Sequence, residues 1–96
     1  MDFTGFTTSL KENECPSHLS VYLEALWYAG KGDWQKAHTL IEDLPDRKAA
    51  RIHAYLHRME GDIGNADYWY SRAGEKRPPE SLEKEWASLV QRYLSS

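Results

Sequence analysis

Two Gly-Asp pairs, 29 residues apart, constrain the fold of this chain more than any other feature. Gly32-Asp33 and Gly61-Asp62 each separate two runs in which apolar residues recur at steps of three and four. A glycine after a helix adopts the left-handed conformation that ends it, and an aspartate beside it caps the helix that follows. Each pair therefore predicts a tight turn between helices. No segment shows the alternation of a half-buried strand, so the predicted fold class is all-α.

Capping residues and prolines divide the chain into an N-terminal segment and one helical domain. Residues 1–16 lack helical periodicity, and we expect an arm or loop that Phe3, Phe6 and Leu10 attach to the body. Residues 17–96 are expected to form a single domain. Its helices are predicted to run from Ser17 to about Ala29, from Asp33 to Pro45, from Asp46 to Gly61, from Asp62 to Gly74, and from Ser81 onward.

Composition limits the classes of function. A formal net charge of −3 disfavours general nucleic-acid binding, which needs a strong positive field. The single cysteine, Cys15, excludes a disulfide within the chain and a four-thiolate zinc site. No run approaches the roughly 18 apolar residues of a membrane span, and the N-terminus has no secretory pattern. We therefore expect a cytoplasmic protein that binds neither nucleic acid nor membrane.

The two helix pairs resemble each other. A shift of 29 residues places Ala25 on Ala54, Gly32-Asp33 on Gly61-Asp62, and Ala37 on Ala66. This pattern resembles the tetratricopeptide repeat, in which a small residue, a Gly-Asp-aromatic turn and an alanine recur, although that repeat is about 34 residues long. The run HAYLHRMEGDIGNADYWYSRAG also looks like one found in short, functionally uncharacterised microbial proteins of tetratricopeptide-like fold. The resemblance implies two helical hairpins with the last helix as a cap.

The resemblance also implies a binding groove. In tetratricopeptide arrays the first helix of each repeat lines a concave surface, and arginine and aromatic side chains there suit an acidic or carboxylate-ended peptide. We therefore expect a protein-protein interaction or scaffold module, without cofactor or enzymatic activity. The expected groove residues are Lys48, Arg51, Tyr55, Arg58, Tyr22 and Leu26.

Two alternatives to an open peptide groove follow from the same arginines. In the first, the basic face of the third helix would form salt bridges to Glu24, to Glu60 or to the acidic last helix (Glu80, Glu83, Glu85). In the second, a small anionic metabolite would bind between Arg51, Arg58 and the aromatic side chains.

An exposed apolar surface on the last helix, formed by Trp86 and Tyr93 in particular, would in addition favour a homodimer, because repeat ends need polar caps.

His53 and His57 are the candidate metal ligands. Four residues apart on one helix, they share a face, which is how a helix supplies two zinc ligands. A third ligand would be His38, Glu60 or Asp67. We expect instead that both histidines are interior, bind no metal and form hydrogen bonds to groups such as Tyr68 or Asp67. A small metal- or histidine-dependent enzyme and a proton-linked role are the alternatives.

Tyr68, Trp69 and Tyr70 follow one another and point about 100° apart on a helix, so they do not share one face. The repeat alignment places Trp69 and Tyr70 in the core, on Leu40 and Ile41, and leaves Tyr68 exposed. Core packing is therefore the expected role of this run, in preference to an aromatic cage for a cationic ligand.

Overall fold

The computed structural model describes residues 1–95, which form six α-helices and no strand. The predicted all-α class is therefore confirmed. Within these residues, no helix combines the length and the apolar character needed to cross a bilayer. The helices are α1 (Phe3–Ser9), α2 (Val21–Gly30), α3 (Trp34–Ile41), α4 (Arg47–Met59), α5 (Ile63–Arg72) and α6 (Leu82–Leu94).

Both Gly-Asp pairs form the predicted turns. Gly32 and Gly61 adopt positive φ angles of 83° and 86°, which favour glycine. The carboxylate of Asp33 accepts a hydrogen bond from the backbone N–H of Lys36, and that of Asp62 accepts one from Asn65. The helices on either side of each turn pack against each other, α2 on α3 and α4 on α5.

The start of α2 differs from its prediction. The helix begins at Val21, and its cap is Ser20, whose hydroxyl accepts from the backbone N–H of Leu23. Ser17, the expected cap, lies outside the helix. Between them His18 has a positive φ of 68°, which a continuous right-handed helix does not allow.

The N-terminal segment contains a helix that the sequence pattern does not predict. The expected arm or loop over residues 1–16 is therefore wrong for α1, whose first turn is capped by Asp2. Seven residues are too few for a helix that is stable by itself. Packing on the body supports it, because the rings of Phe3 and Phe6 lie 6.4 and 5.9 Å from that of Trp86, and Phe6 is fully buried.

Helix α6 packs across α2 and α4 and closes the core. The indole Nε1 of Trp86 donates a hydrogen bond to the backbone carbonyl of Leu26 (2.8 Å), and the hydroxyl of Tyr93 donates one to that of Lys48 (3.3 Å). Tyr93 is buried and Trp86 is partly covered by α1. The exposed apolar surface that was expected to cause homodimer formation is therefore absent at Tyr93, and at Trp86 it is limited to the part that α1 does not cover.

Candidate functional site

The expected groove between α2 and α4 is occupied by the protein's own α6. Leu26, Arg51 and Tyr55, which were expected to contact a partner, are only 0%, 4% and 4% exposed. Tyr22 and Lys48 remain accessible, at an edge where the hydroxyl of Tyr22 donates to Asp46 (2.6 Å). The sequence prediction missed this closure because it treated α6 as a cap at the end of the domain.

A fully buried carboxylate, that of Glu85 in α6, binds the two groove arginines. Nη1 of Arg51 donates to Oε2 of Glu85 at 2.7 Å, and Nη1 of Arg58 donates to Oε1 at 2.6 Å. The hydroxyl of Tyr70 donates to Oε2 at 2.5 Å, and burial together with this bond raises the pKa of Tyr70. The alternative of salt bridges to the acidic last helix is therefore confirmed.

The same network continues to the protein surface through Arg51. Its Nε donates to Oε1 of Glu75 at 3.0 Å, and Arg92 donates to the other oxygen of that carboxylate at 2.9 Å. Arg58 also donates to the backbone carbonyl of Glu80 at 2.6 Å. The guanidinium groups of Arg51 and Arg58 are therefore already bound to acceptors within the chain. This arrangement holds α6 against α4 and leaves neither of these two guanidinium groups free to bind an anionic metabolite.

Three histidines meet where α3 packs on α4. Nε2 of His38 lies 2.9 Å from Nε2 of His53, and one ring nitrogen from each of His38, His53 and His57 falls within 4.8 Å of the others. The rings of His53 and His57 stack at 4.8 Å and are nearly fully buried. Among the three residues considered as a third ligand, His38 therefore completes the cluster. Asp67 is half exposed and pairs with Arg77 instead.

Two carboxylates orient the cluster. Nδ1 of His38 lies 3.0 Å from Glu42, and Nδ1 of His57 lies 2.7 Å from Glu60. Because an ionised carboxylate only accepts hydrogen bonds, Nδ1 carries the hydrogen in both rings, and in the neutral form of each ring Nε2 has the lone pair. The Nε2–H of His53 then donates to His38. The expected interior position of His53 and His57 is confirmed, but their expected partners Tyr68 and Asp67 are wrong.

Two tryptophans hold the rings in place. Trp34 stacks on His38 with ring centroids 4.6 Å apart, and Trp69 stacks on His53 at 3.9 Å. The indole Nε1 of Trp34 also donates to the backbone carbonyl of Leu56 at 2.7 Å, which fixes its plane. Trp69 is thus partly buried against the cluster. Tyr70 is buried and Tyr68 is 53% exposed, as expected.

The sequence contains a signal for this arrangement that was overlooked. Two of the three histidines are followed by a glutamate about one helical turn later. Glu42 lies four residues after His38, and Glu60 lies three residues after His57. Residues three or four apart on a helix are neighbours, so each pair forms a local hydrogen bond. A histidine with a glutamate at either spacing is a candidate for such a cluster, so this pattern points to His38 together with His57.

Acidification below pH 6.5 is expected to destabilise the metal-free protein through His53. Burial, together with the charges of His38 and His57, lowers the pKa of His53 to about 4. In the unfolded chain that pKa is near 6.5, so the unfolded state binds the proton first and stability falls as the pH drops from 6.5 toward 4. The loss amounts to about 3 kcal/mol over that interval. Urea unfolding at several pH values measures this loss in the free energy of unfolding. If a His53→Gln variant loses stability just as steeply with falling pH, groups other than His53 cause the loss.

Comparisons with known proteins leave the family of this chain undetermined. No family model, curated protein or solved structure matches it. The tetratricopeptide-like arrangement therefore stays a prediction.

Proposed function

We propose that this protein binds Zn²⁺ through His38, His53 and His57. The observation that carries the proposal is the convergence of three imidazoles within 4.8 Å, two of which have carboxylates on their remote nitrogens. Imidazole nitrogen is a preferred zinc ligand, and zinc-bound histidines commonly donate their other N–H to a carboxylate or carbonyl. Three protein ligands leave a fourth position for water or a substrate.

The spacing of the nitrogens is close to what an ion requires. The short contact between His38 and His53 holds one proton between two Nε2 atoms 2.9 Å apart. With Zn–N bonds of about 2.0–2.1 Å in tetrahedral geometry, the two nitrogens would lie about 3.3 Å apart. For His38 and His53 the replacement of the proton by zinc thus requires a movement of about 0.4 Å, and the nitrogen of His57, which lies within 4.8 Å of both, must approach by up to about 1.5 Å. Glu42 and Glu60 supply negative charge next to the ion.

Metal binding is favoured over a peptide-binding groove for a specific reason. The groove arginines are bound to Glu85, and α6 covers Leu26 and Tyr55. One ring nitrogen from each of the three histidines, by contrast, lies within 4.8 Å of the others, and zinc would take the place of the proton between His38 and His53. A partner peptide would contact only the edge of that groove, where Tyr22 and Lys48 are accessible.

Stoichiometric zinc binding is the expected result of equilibrium dialysis with metal analysis. After treatment with a chelator, wild type should bind one Zn²⁺, and Co²⁺ in its place should give the visible absorption of a tetrahedral site. His57→Gln should weaken binding by more than about 100-fold, since loss of an outer-sphere partner alone costs 10–100-fold. His18→Gln is the matched control, because His18 is exposed and lies outside the cluster. Equal zinc binding by the two variants, or none by wild type, would contradict the proposal.

A further inference from the structure

A second site is indicated by an apolar cleft between α2, α4, α6 and the end of α1. Its volume is about 540 Å³, within the range of small-molecule pockets. Most of its wall is apolar, formed by side chains such as Leu10, Met59, Leu82 and Trp86. None of the three clustered histidines contributes to that wall, so this cleft and the proposed zinc site are separate.

The wall of the cleft contains a hydroxyl without a partner. Tyr55 is 4% exposed, and its hydroxyl forms no hydrogen bond to any of residues 1–95. No fully buried polar side-chain atom of residues 1–95 lacks a hydrogen-bond partner, so this oxygen retains some contact with solvent, and Tyr55 is part of the wall of the cleft. A buried hydroxyl is normally paired. This one is therefore available to a ligand inside the cleft.

The charge at the cleft selects the class of ligand. Glu83 is exposed and contributes to the wall, whereas no lysine, arginine or histidine of residues 1–95 does so. Burial raises the pKa of Tyr55 to about 12, and the nearby carboxylates of Glu85 and Glu83 act in the same direction. Arg58 acts in the opposite direction, but its guanidinium group is bound to Glu85 and is not part of the wall, so Glu83 supplies the charge that lines the cleft among residues 1–95. Anions are disfavoured and cations are favoured.

Trp86 complements the apolar body of a ligand. Its indole N–H is already bound to the backbone carbonyl of Leu26, so it offers the cleft aromatic carbon and no free hydrogen-bond donor. Aromatic carbon provides a large apolar contact area. Together with the charge of Glu83, this wall favours a ligand with an apolar body and a single positive charge.

We propose that the cleft binds a small apolar primary amine. Its body packs against Leu10, Met59 and Trp86, while its ammonium group lies between the carboxylate of Glu83 and the hydroxyl of Tyr55. The ligand would contact the wall of the cleft as it stands, without any movement of α6, and would not contact the histidine cluster.

Three probes that share one aromatic body test the proposal. They are 2-phenylethylamine, 2-phenylethanol and 3-phenylpropionate, which are cationic, neutral and anionic at neutral pH. Binding is followed by NMR through the shift of the Trp86 indole N–H. The amine should bind about threefold to fivefold more tightly than the alcohol, as an exposed ion pair allows, and the anion most weakly. Equal affinities for amine and anion, or no shift of Trp86 with any probe, would overturn the proposal.

Two variants assign the contacts. Glu83→Gln should reduce the affinity for the amine to that of the alcohol and leave the alcohol unchanged, so the alcohol is the internal control. Tyr55→Phe should weaken both probes. If Tyr55→Phe does not fold, Glu83→Gln still decides the matter, because Glu83 is exposed and has no structural partner among the salt bridges of residues 1–95. An unchanged preference for the amine in Glu83→Gln would refute the proposed ammonium position.

Discussion

Glu85→Ala is expected to lower the free energy of unfolding by about 3–5 kcal/mol. The substitution leaves the guanidinium groups of Arg51 and Arg58 and the hydroxyl of Tyr70 without the acceptor to which all three donate. Arg51 is almost fully buried, so water cannot replace that acceptor without opening the structure. Since small domains are stable by about 5–15 kcal/mol, this single change removes a large part of the total.

Urea unfolding of Glu85→Ala and Glu83→Ala gives the matched comparison. Both residues lie on α6, two positions apart, but Glu83 is exposed and Glu85 is fully buried. The exposed substitution should change stability by no more than about 0.5 kcal/mol. Similar losses in the two variants would mean that helix propensity, rather than the buried charge, determines the effect.

A third variant separates the cost of breaking the network from the net value of having it. The triple variant carries Arg51→Met, Arg58→Met and Glu85→Leu. These substitutions remove the buried charges and fill their volume with apolar side chains. Buried ion clusters replaced in this way are often no less stable than the original. Recovery of most of the stability lost by Glu85→Ala would show that the cluster mainly specifies the position of α6 on α2 and α4.

Local features of the fold could be predicted from the sequence, whereas features that depend on distant contacts could not. Gly32-Asp33 and Gly61-Asp62 determine their turns through backbone conformation and capping, which involve neighbouring residues only. Helix α1 escaped prediction because its stability comes from Phe3 and Phe6 packing on Trp86, some 80 positions along the chain. A seven-residue segment carries no periodicity long enough to reveal that contact.

The same division applies to the functional residues. The spacing of His53 and His57 predicts a shared helix face, but the approach of His38 depends on how α3 packs on α4.

For Glu85 a sequence signal existed: it lies three residues after Leu82 and four before Leu89, on the apolar face of its helix. A carboxylate in that position needs a buried cation, and the alternative of salt bridges between the third helix and the acidic last helix supplies it through Arg51 and Arg58.

Zinc is expected to stabilise the folded protein by about 4 kcal/mol when its free concentration is 1,000 times the dissociation constant. The ion binds only the folded arrangement of His38, His53 and His57, in which residues from two helices meet. For a domain of this size each kcal/mol corresponds to about 4–8 °C, so the midpoint of thermal unfolding should rise by more than about 10 °C. Calorimetry of chelator-treated protein with and without zinc measures the increase.

Substitutions in the cluster distinguish a metal centre from a purely structural histidine cluster. His57→Gln should abolish the increase caused by zinc, whatever it does to the metal-free protein. Glu60→Gln removes the carboxylate 2.7 Å from Nδ1 of His57 and should weaken zinc binding by about 10–100-fold. In the His57→Gln background, however, Glu60→Gln should have no further effect on the response to zinc, because the glutamate acts through that imidazole. If the cluster is purely structural, the variants will instead lose the same stability with and without zinc. That result would mean that the three histidines contribute only to packing.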